Sequence, residues 1–197
     1  MTIFASGFTI DFVLLARRYL LLQIKVRRNI LMRRAVYSIL VDNSAGVLSR
    51  IAGLFSRRGY NIDSLTVGET LNPEFSRMTV TVTGEDNVLE QIYKQLAKLV
   101  DVKDIEELPV DASVCRELIL IKVECEATDR QQIATITDIY RGEILDVSKD
   151  SMIISLIGNQ NKLNAFVALL EDFKITELAR TGITGLARGI KKTNKNK

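Results

Sequence analysis

Asp42-Asn43-Ser44-Ala45-Gly46-Val47-Leu48 is the stretch whose reading decides the fold, taken with Gly59-Tyr60-Asn61-Ile62 one helix later. Before it, Tyr37, Ile39 and Val41 recur at period two and predict a strand. After it, Val47, Ile51, Leu54 and Phe55 recur at the spacing of one helical face. Asn43 or Ser44 is expected to cap that helix, and Gly46 to leave its first turn open to a close visitor. Arg57 and Arg58 suit the last turn, and Gly59 suits the position just beyond it. Asn61 then opens a second strand and is expected to return beside Asn43. With apolar Val47, Leu48 and Ile62 around it, such a helix start offers a seat for a small amino acid. Its carboxylate would meet the free N–H groups, its ammonium the two amides, and its side chain the apolar corner.

Outward from this unit the order continues. The third strand alternates Met78, Val80 and Val82 against Thr79, Thr81 and Thr83, and a second helix stripes Val88, Leu89, Ile92, Leu96 and Leu99 with Lys98 outside. A strand over 102–108 closes the set. This βαββαβ order predicts a four-stranded antiparallel sheet with both helices on one face. The other face must meet water or pair with another copy. The same order then repeats more faintly: strands over 117–123, 142–147, 152–157 and 175–180, with helices over 129–140 and around Leu163, Phe166, Val167 and Leu170. The fold expected is therefore α+β, two ferredoxin-like βαββαβ domains in tandem. The divisions are an N-terminal extension over 1–31, a first domain over 32–108, a linker over 109–115, a second domain over 116–187 and a basic tail over 188–197.

Several motifs carry a family resemblance. Arg33-Arg34-Ala35-Val36, Asn43 to Arg50, Gly53 to Leu65, Ser76-Arg77-Met78-Thr79, Tyr140 to Val147 and Arg180-Thr181-Gly182 fall in an order and spacing that resembles the regulatory small subunit of acetohydroxyacid (acetolactate) synthase. The resemblance runs over 32–189. It implies that the first domain is an ACT domain, that such domains pair as a homodimer, and that valine binds at the seam between copies. The effector residues would be Asn43, Gly46, Val47, Leu48, Asn61 and Ile62, with Arg50 and Arg77 as possible subunit contacts. It also implies a non-catalytic role in branched-chain amino acid biosynthesis. The chain would activate a catalytic large subunit and make it sensitive to valine, while thiamine diphosphate, Mg and FAD sit on that partner. Bacterial cytoplasm or plastid stroma is the compartment this implies. A free-standing ACT-domain amino-acid sensor acting on another partner is the alternative.

Composition narrows the field independently. The 197 residues include no histidine, so an imidazole base, shuttle or metal ligand is excluded. Cys115 and Cys125 lack a second pair and read as reduced thiols. The net charge of +3 is terminal in origin: residues 32–187 hold 17 basic and 23 acidic side chains, a net charge of −6. A nucleic-acid-binding face would need its positive charge on the fold, and an RNA-recognition sheet would need aromatic residues on its third strand, where 77–83 has none. Glu143, Asp146 and Asp150 read as turn carboxylates rather than metal ligands, and no phosphate-loop or dinucleotide glycine pattern occurs. Residues 1–31 hold two short apolar runs interrupted by Asp11 and by Arg17-Arg18, too short to span a bilayer and unlike a signal peptide. They read as a disordered arm or an in-frame extension before Met32, and the tail as solvated.

Overall fold

The computed structural model describes residues 32–189. The expectations for 1–31 and for the end of the tail fall outside these residues. Strand β1 (Met32–Asp42) leads into helix α1 (Val47–Arg57), β2 (Ser64–Glu69), β3 (Phe75–Glu85), α2 (Asp86–Leu96) and β4 (Val102–Glu107). The second half follows as β5 (Ser113–Glu124), α3 (Arg130–Ile139), β6 (Glu143–Val147), β7 (Ser151–Gly158), α4 (Gln160–Leu170), β8 (Lys174–Arg180) and β9 (Thr184–Ala187). The first sheet has the order β2-β3-β1-β4 and the second β6-β7-β5-β8, all pairs antiparallel. Each half is thus the expected βαββαβ unit.

Alternation puts the cores where the sequence demands. Tyr37, Ile39 and Val41 of β1 lie opposite Val80, Met78 and Ser76 of β3 and face the helices. Ile51, Leu54 and Phe55 of α1 and Leu89, Ile92 and Leu96 of α2 close over them. A residue such as Phe55, 1% exposed, gives about 1.5–3 kcal/mol on burial. Tyr37 packs against Tyr93 at 6.3 Å and donates its hydroxyl to the Leu89 carbonyl at 3.0 Å. Burial first, and then the nearby Glu107 carboxylate, push that phenol up to about 12. The second core repeats the arrangement with Ile119, Ile121, Ile154, Leu163 and Phe166, the last tilted against Tyr140 at 5.3 Å. Cys115 and Cys125 are both free thiols. None of the described helices is long and apolar enough to cross a membrane.

Two boundaries and the covering of one sheet face differ from the sequence reading. Ser113–Cys115, taken as linker, already belong to β5, whose first residues pair with β9 from Ser113↔Ala187 to Arg116↔Thr184. Arg188, taken as tail, is part of the fold, since its N–H donates to the Ala112 carbonyl at 2.8 Å. The outer face of the first sheet finds a third solution beyond water or another copy. The Thr181–Ile183 turn between β8 and β9 lies on it, with Ser64 Oγ accepting from the Ile183 N–H (2.8 Å) and Thr66 Oγ1 donating to the Ile183 carbonyl (2.9 Å). Gly182, at φ +86°, fits there because a Cβ would stand 2.7 Å from Ser64 Oγ. Ser38, Thr79 and Thr81 are buried as a result, and Ile183 is 8% exposed.

Candidate functional site

The β1–α1 turn sits at the Glu69 end of the first sheet. Asn43 donates its backbone N–H to the Glu74 carbonyl (2.7 Å) and its side-chain Nδ2 to the Pro73 carbonyl (2.9 Å). Its Oδ1 is left to accept. The expectation that Asn43 or Ser44 caps α1 is corrected: the capping position is Gly46, at φ +87°, and no side chain bonds the helix start. A left-handed residue there turns the chain abruptly, so the helix begins later than a polar cap would start it. The Val47 N–H donates to the Ser44 carbonyl at 3.4 Å, while those of Leu48 and Ser49 have no intrahelical acceptor by position and lie at the positive end of the helix dipole.

Arg50 closes one side. Its guanidinium makes a two-pronged bond to Asp101 (Nε to Oδ2 2.7 Å, Nη2 to Oδ1 2.8 Å), and its Nη1 would be 3.1 Å from a Cβ on Gly46. The hydrogen bond from Arg50 holds the Asp101 carboxyl below its usual value, and the same bond raises the Arg50 pKa. Lys103 reaches Asp42 at 2.8 Å on the far side of the turn. Val47 is buried in the first core, whereas Leu48 is 46% exposed and presents an apolar surface beside the open helix start.

Asn61 is not beside Asn43 in the same chain. The first residue of β2, Ser64, pairs with Thr81, which pairs with Val36; the last, Glu69, pairs with Ser76, which pairs with Val41. Asn43 therefore sits beyond the Glu69 end, and Asn61 three residues before the opposite end, roughly 17 Å or more away at strand rise. The start of β2 does not lie beside the start of α1, because α1 carries the chain back along the whole sheet. Asn61 donates to Asp63 Oδ1 (3.1 Å), and Ile62 packs half-buried against the first core. Arg77 lies on the outer face of the sheet and donates to Ser38 Oγ at 2.8 Å. Sequence reasoning missed Asp101, a residue of ordinary composition whose role appears only once the α2–β4 turn is folded against Arg50.

Residues 37–104 match the model of the AHAS small subunit-like ACT domain, and residues 116–189 that of the small subunit of acetolactate synthase. The acetolactate synthase isozyme 3 small subunit of Salmonella typhimurium is 48% identical over 159 residues, 80% of this chain and 98% of that protein. The probable acetolactate synthase small subunit of Archaeoglobus fulgidus is 48% identical over 79% of this chain and 97% of its own length. The crystal structure of the acetolactate synthase small subunit from Thermotoga maritima superposes with a TM-score of 0.74 at 42% identity, covering 80% of this chain and 99% of that one. With an ACT domain folded as the β1–α1 motif requires and relatives matched over nearly their whole length, this chain belongs to the acetolactate synthase small subunit family.

Proposed function

We propose that this chain is the non-catalytic regulatory subunit that activates a catalytic acetolactate synthase subunit and lets valine inhibit it. The observation that carries the reading is the uncapped first turn of α1, opened by Gly46 beside the accepting Oδ1 of Asn43 and the exposed Leu48. A carboxylate suits the N–H groups, an ammonium the amide oxygen, and a short aliphatic side chain the leucine. One copy supplies only half of the seat, because Asn61 lies at the other end of the sheet.

A homodimer supplies the rest. β2 is an edge strand, and antiparallel pairing of two β2 strands about a twofold axis lays the Asn61 end of one copy against the Asn43 end of the other. Valine is then held between Asn43, Gly46 and Leu48 of one copy and Asn61 and Ile62 of the second. Micromolar to millimolar affinity requires about 4–8 kcal/mol, within reach of a small ligand. Thiamine diphosphate, magnesium and FAD belong to the catalytic partner in this reading. The test is acetolactate formation from pyruvate by a catalytic subunit with and without this chain, titrated with valine. The expected result is a higher rate with the chain present and an inhibition that requires it, with a coupling of about 1–3 kcal/mol. A rate indifferent to the chain defeats the proposal.

A further inference from the structure

Between the two domains, at the opposite end of β1 from Gly46, lies a cleft of about 630 Å3. Its walls come from the start of β1, the linker, the start of β5 and the first turn of α4. Four arginines line it (Arg33, Arg34, Arg116 and Arg188) against two carboxylates, Glu107 and Glu117. Both carboxylates are already taken: Glu107 is gripped by Arg33, and Glu117 accepts from Arg180 Nη1 at 3.3 Å. Arg34, Arg116 and Arg188 have no carboxylate partner among the described residues, and Arg116 donates only to the Cys115 carbonyl, at 2.7 Å. This concentration of positive charge is not background, since residues 32–187 carry more acidic than basic side chains.

The first turn of α4 adds to it. Asn159 caps the Lys162 N–H at 2.9 Å, while the N–H groups of Gln160 and Asn161 have no intrahelical acceptor by position. Three guanidiniums without a carboxylate partner among the described residues, and a helix N-terminus, around a cavity of small-molecule size make a receptor for more than one negative charge. We propose that the interdomain cleft binds a small dianion, a phosphorylated metabolite or a dicarboxylate, held by Arg34, Arg116 and Arg188 and by the first turn of α4. Because its walls belong to both domains, the ligand fixes how they dock. The site is separate from the valine seat and does not depend on it.

The full-length chain is titrated calorimetrically with inorganic pyrophosphate and with succinate, at low and high salt, and its melting temperature is followed in parallel. Single-site saturation by at least one probe is expected, weakened by salt and accompanied by a higher melting temperature. Tighter pyrophosphate binding assigns the site to phosphate esters, and tighter succinate binding to dicarboxylates. Arg116→Ala with Arg188→Ala should weaken binding about tenfold or more. Should that pair disturb the fold, Asn161→Glu decides alone. Its carboxylate suits the first helical turn, so the unliganded protein melts no lower, yet it opposes the ligand and should cost about tenfold in affinity. Lys98→Ala is the control and leaves binding unchanged. Failure of both probes to saturate at millimolar concentration, or wild-type affinity in Asn161→Glu, overturns the proposal.

Discussion

Gly46 carries two constraints at once, a positive φ of +87° and Arg50 Nη1 at 3.1 Å from any added Cβ. Gly46→Asp meets both, and its carboxylate competes for the same N–H groups that would take the valine carboxylate. Valine inhibition should disappear while activation of the catalytic subunit persists. Asn43→Ala and Asn61→Ala remove one amide each, and losing a hydrogen bond to a charged group costs about 1.5–3 kcal/mol. The valine concentration for half-inhibition should rise about 10- to 150-fold. Asn43→Ala also releases the Pro73 carbonyl, so its melting temperature is measured alongside and should fall, whereas that of Asn61→Ala should not. If both asparagine variants and Gly46→Asp are inhibited as the wild type is, the effector sits elsewhere. These residues were legible from the sequence as types, because a strand, an amide, a glycine and an amphipathic run form a local pattern. Their arrangement was not. The glycine's left-handed turn moves the helix start past the polar candidates, and the distance from Asn43 to Asn61 follows from strand pairing, which no local pattern encodes.

β2 is the element on which the two halves of the molecule meet. It is an edge strand among the described residues, and Ser64 and Thr66 on its outer face grip the backbone of Ile183 from both sides. Ser64→Ala leaves the Ile183 N–H without its acceptor in a site 8% exposed, which costs about 1–3 kcal/mol. Gly182→Ala should cost at least as much, since its Cβ would meet Ser64 Oγ at 2.7 Å in a backbone conformation that alanine resists. Urea unfolding measures both, and stabilities equal to wild type in the two variants would mean that the turn does not hold the domains together. The strands of the first sheet were readable because apolar side chains recur at period two, Tyr37, Ile39 and Val41 in β1 and Met78, Val80 and Val82 in β3. β9 was not: Thr184-Gly185-Leu186-Ala187 is four residues long with a glycine inside, too short for periodicity to register. What makes it a strand is its partner, the start of β5, seventy-four residues earlier in sequence by the pairing of Ser113 with Ala187.

The described residues form two cores and one seam, and the seam decides how separable the domains are. Each core closes on its own residues, Tyr37, Ile51, Phe55 and Leu89 in the first and Ile119, Ile154, Leu163 and Phe166 in the second. The face of the first sheet that the second domain covers is lined by Ser38, Thr79, Thr81 and Arg77, groups that water solvates readily. Uncovering that face therefore exposes mostly polar groups, and the buried apolar side chain it releases is Leu108, 4% exposed, in neither core and packed against Gly185 of β9. A fragment spanning 32–112 should keep its fold, losing the two hydrogen bonds to Ile183 and those that Ala112 and Pro109 accept from Arg188 and Ser113, about 0.5–1.5 kcal/mol each. It should also keep the β2 edge, the open start of α1 and Asn61, and so dimerise and bind valine, while lacking the cleft whose walls include Arg116 and Arg188. Circular dichroism, sedimentation and valine titration of the fragment test this together. A random-coil spectrum would show that the contact of Ile183 with β2 is a condition of folding rather than an addition to it. A folded monomer that ignores valine would instead place the requirement for the second domain at the seam itself, where it would orient β2 for pairing.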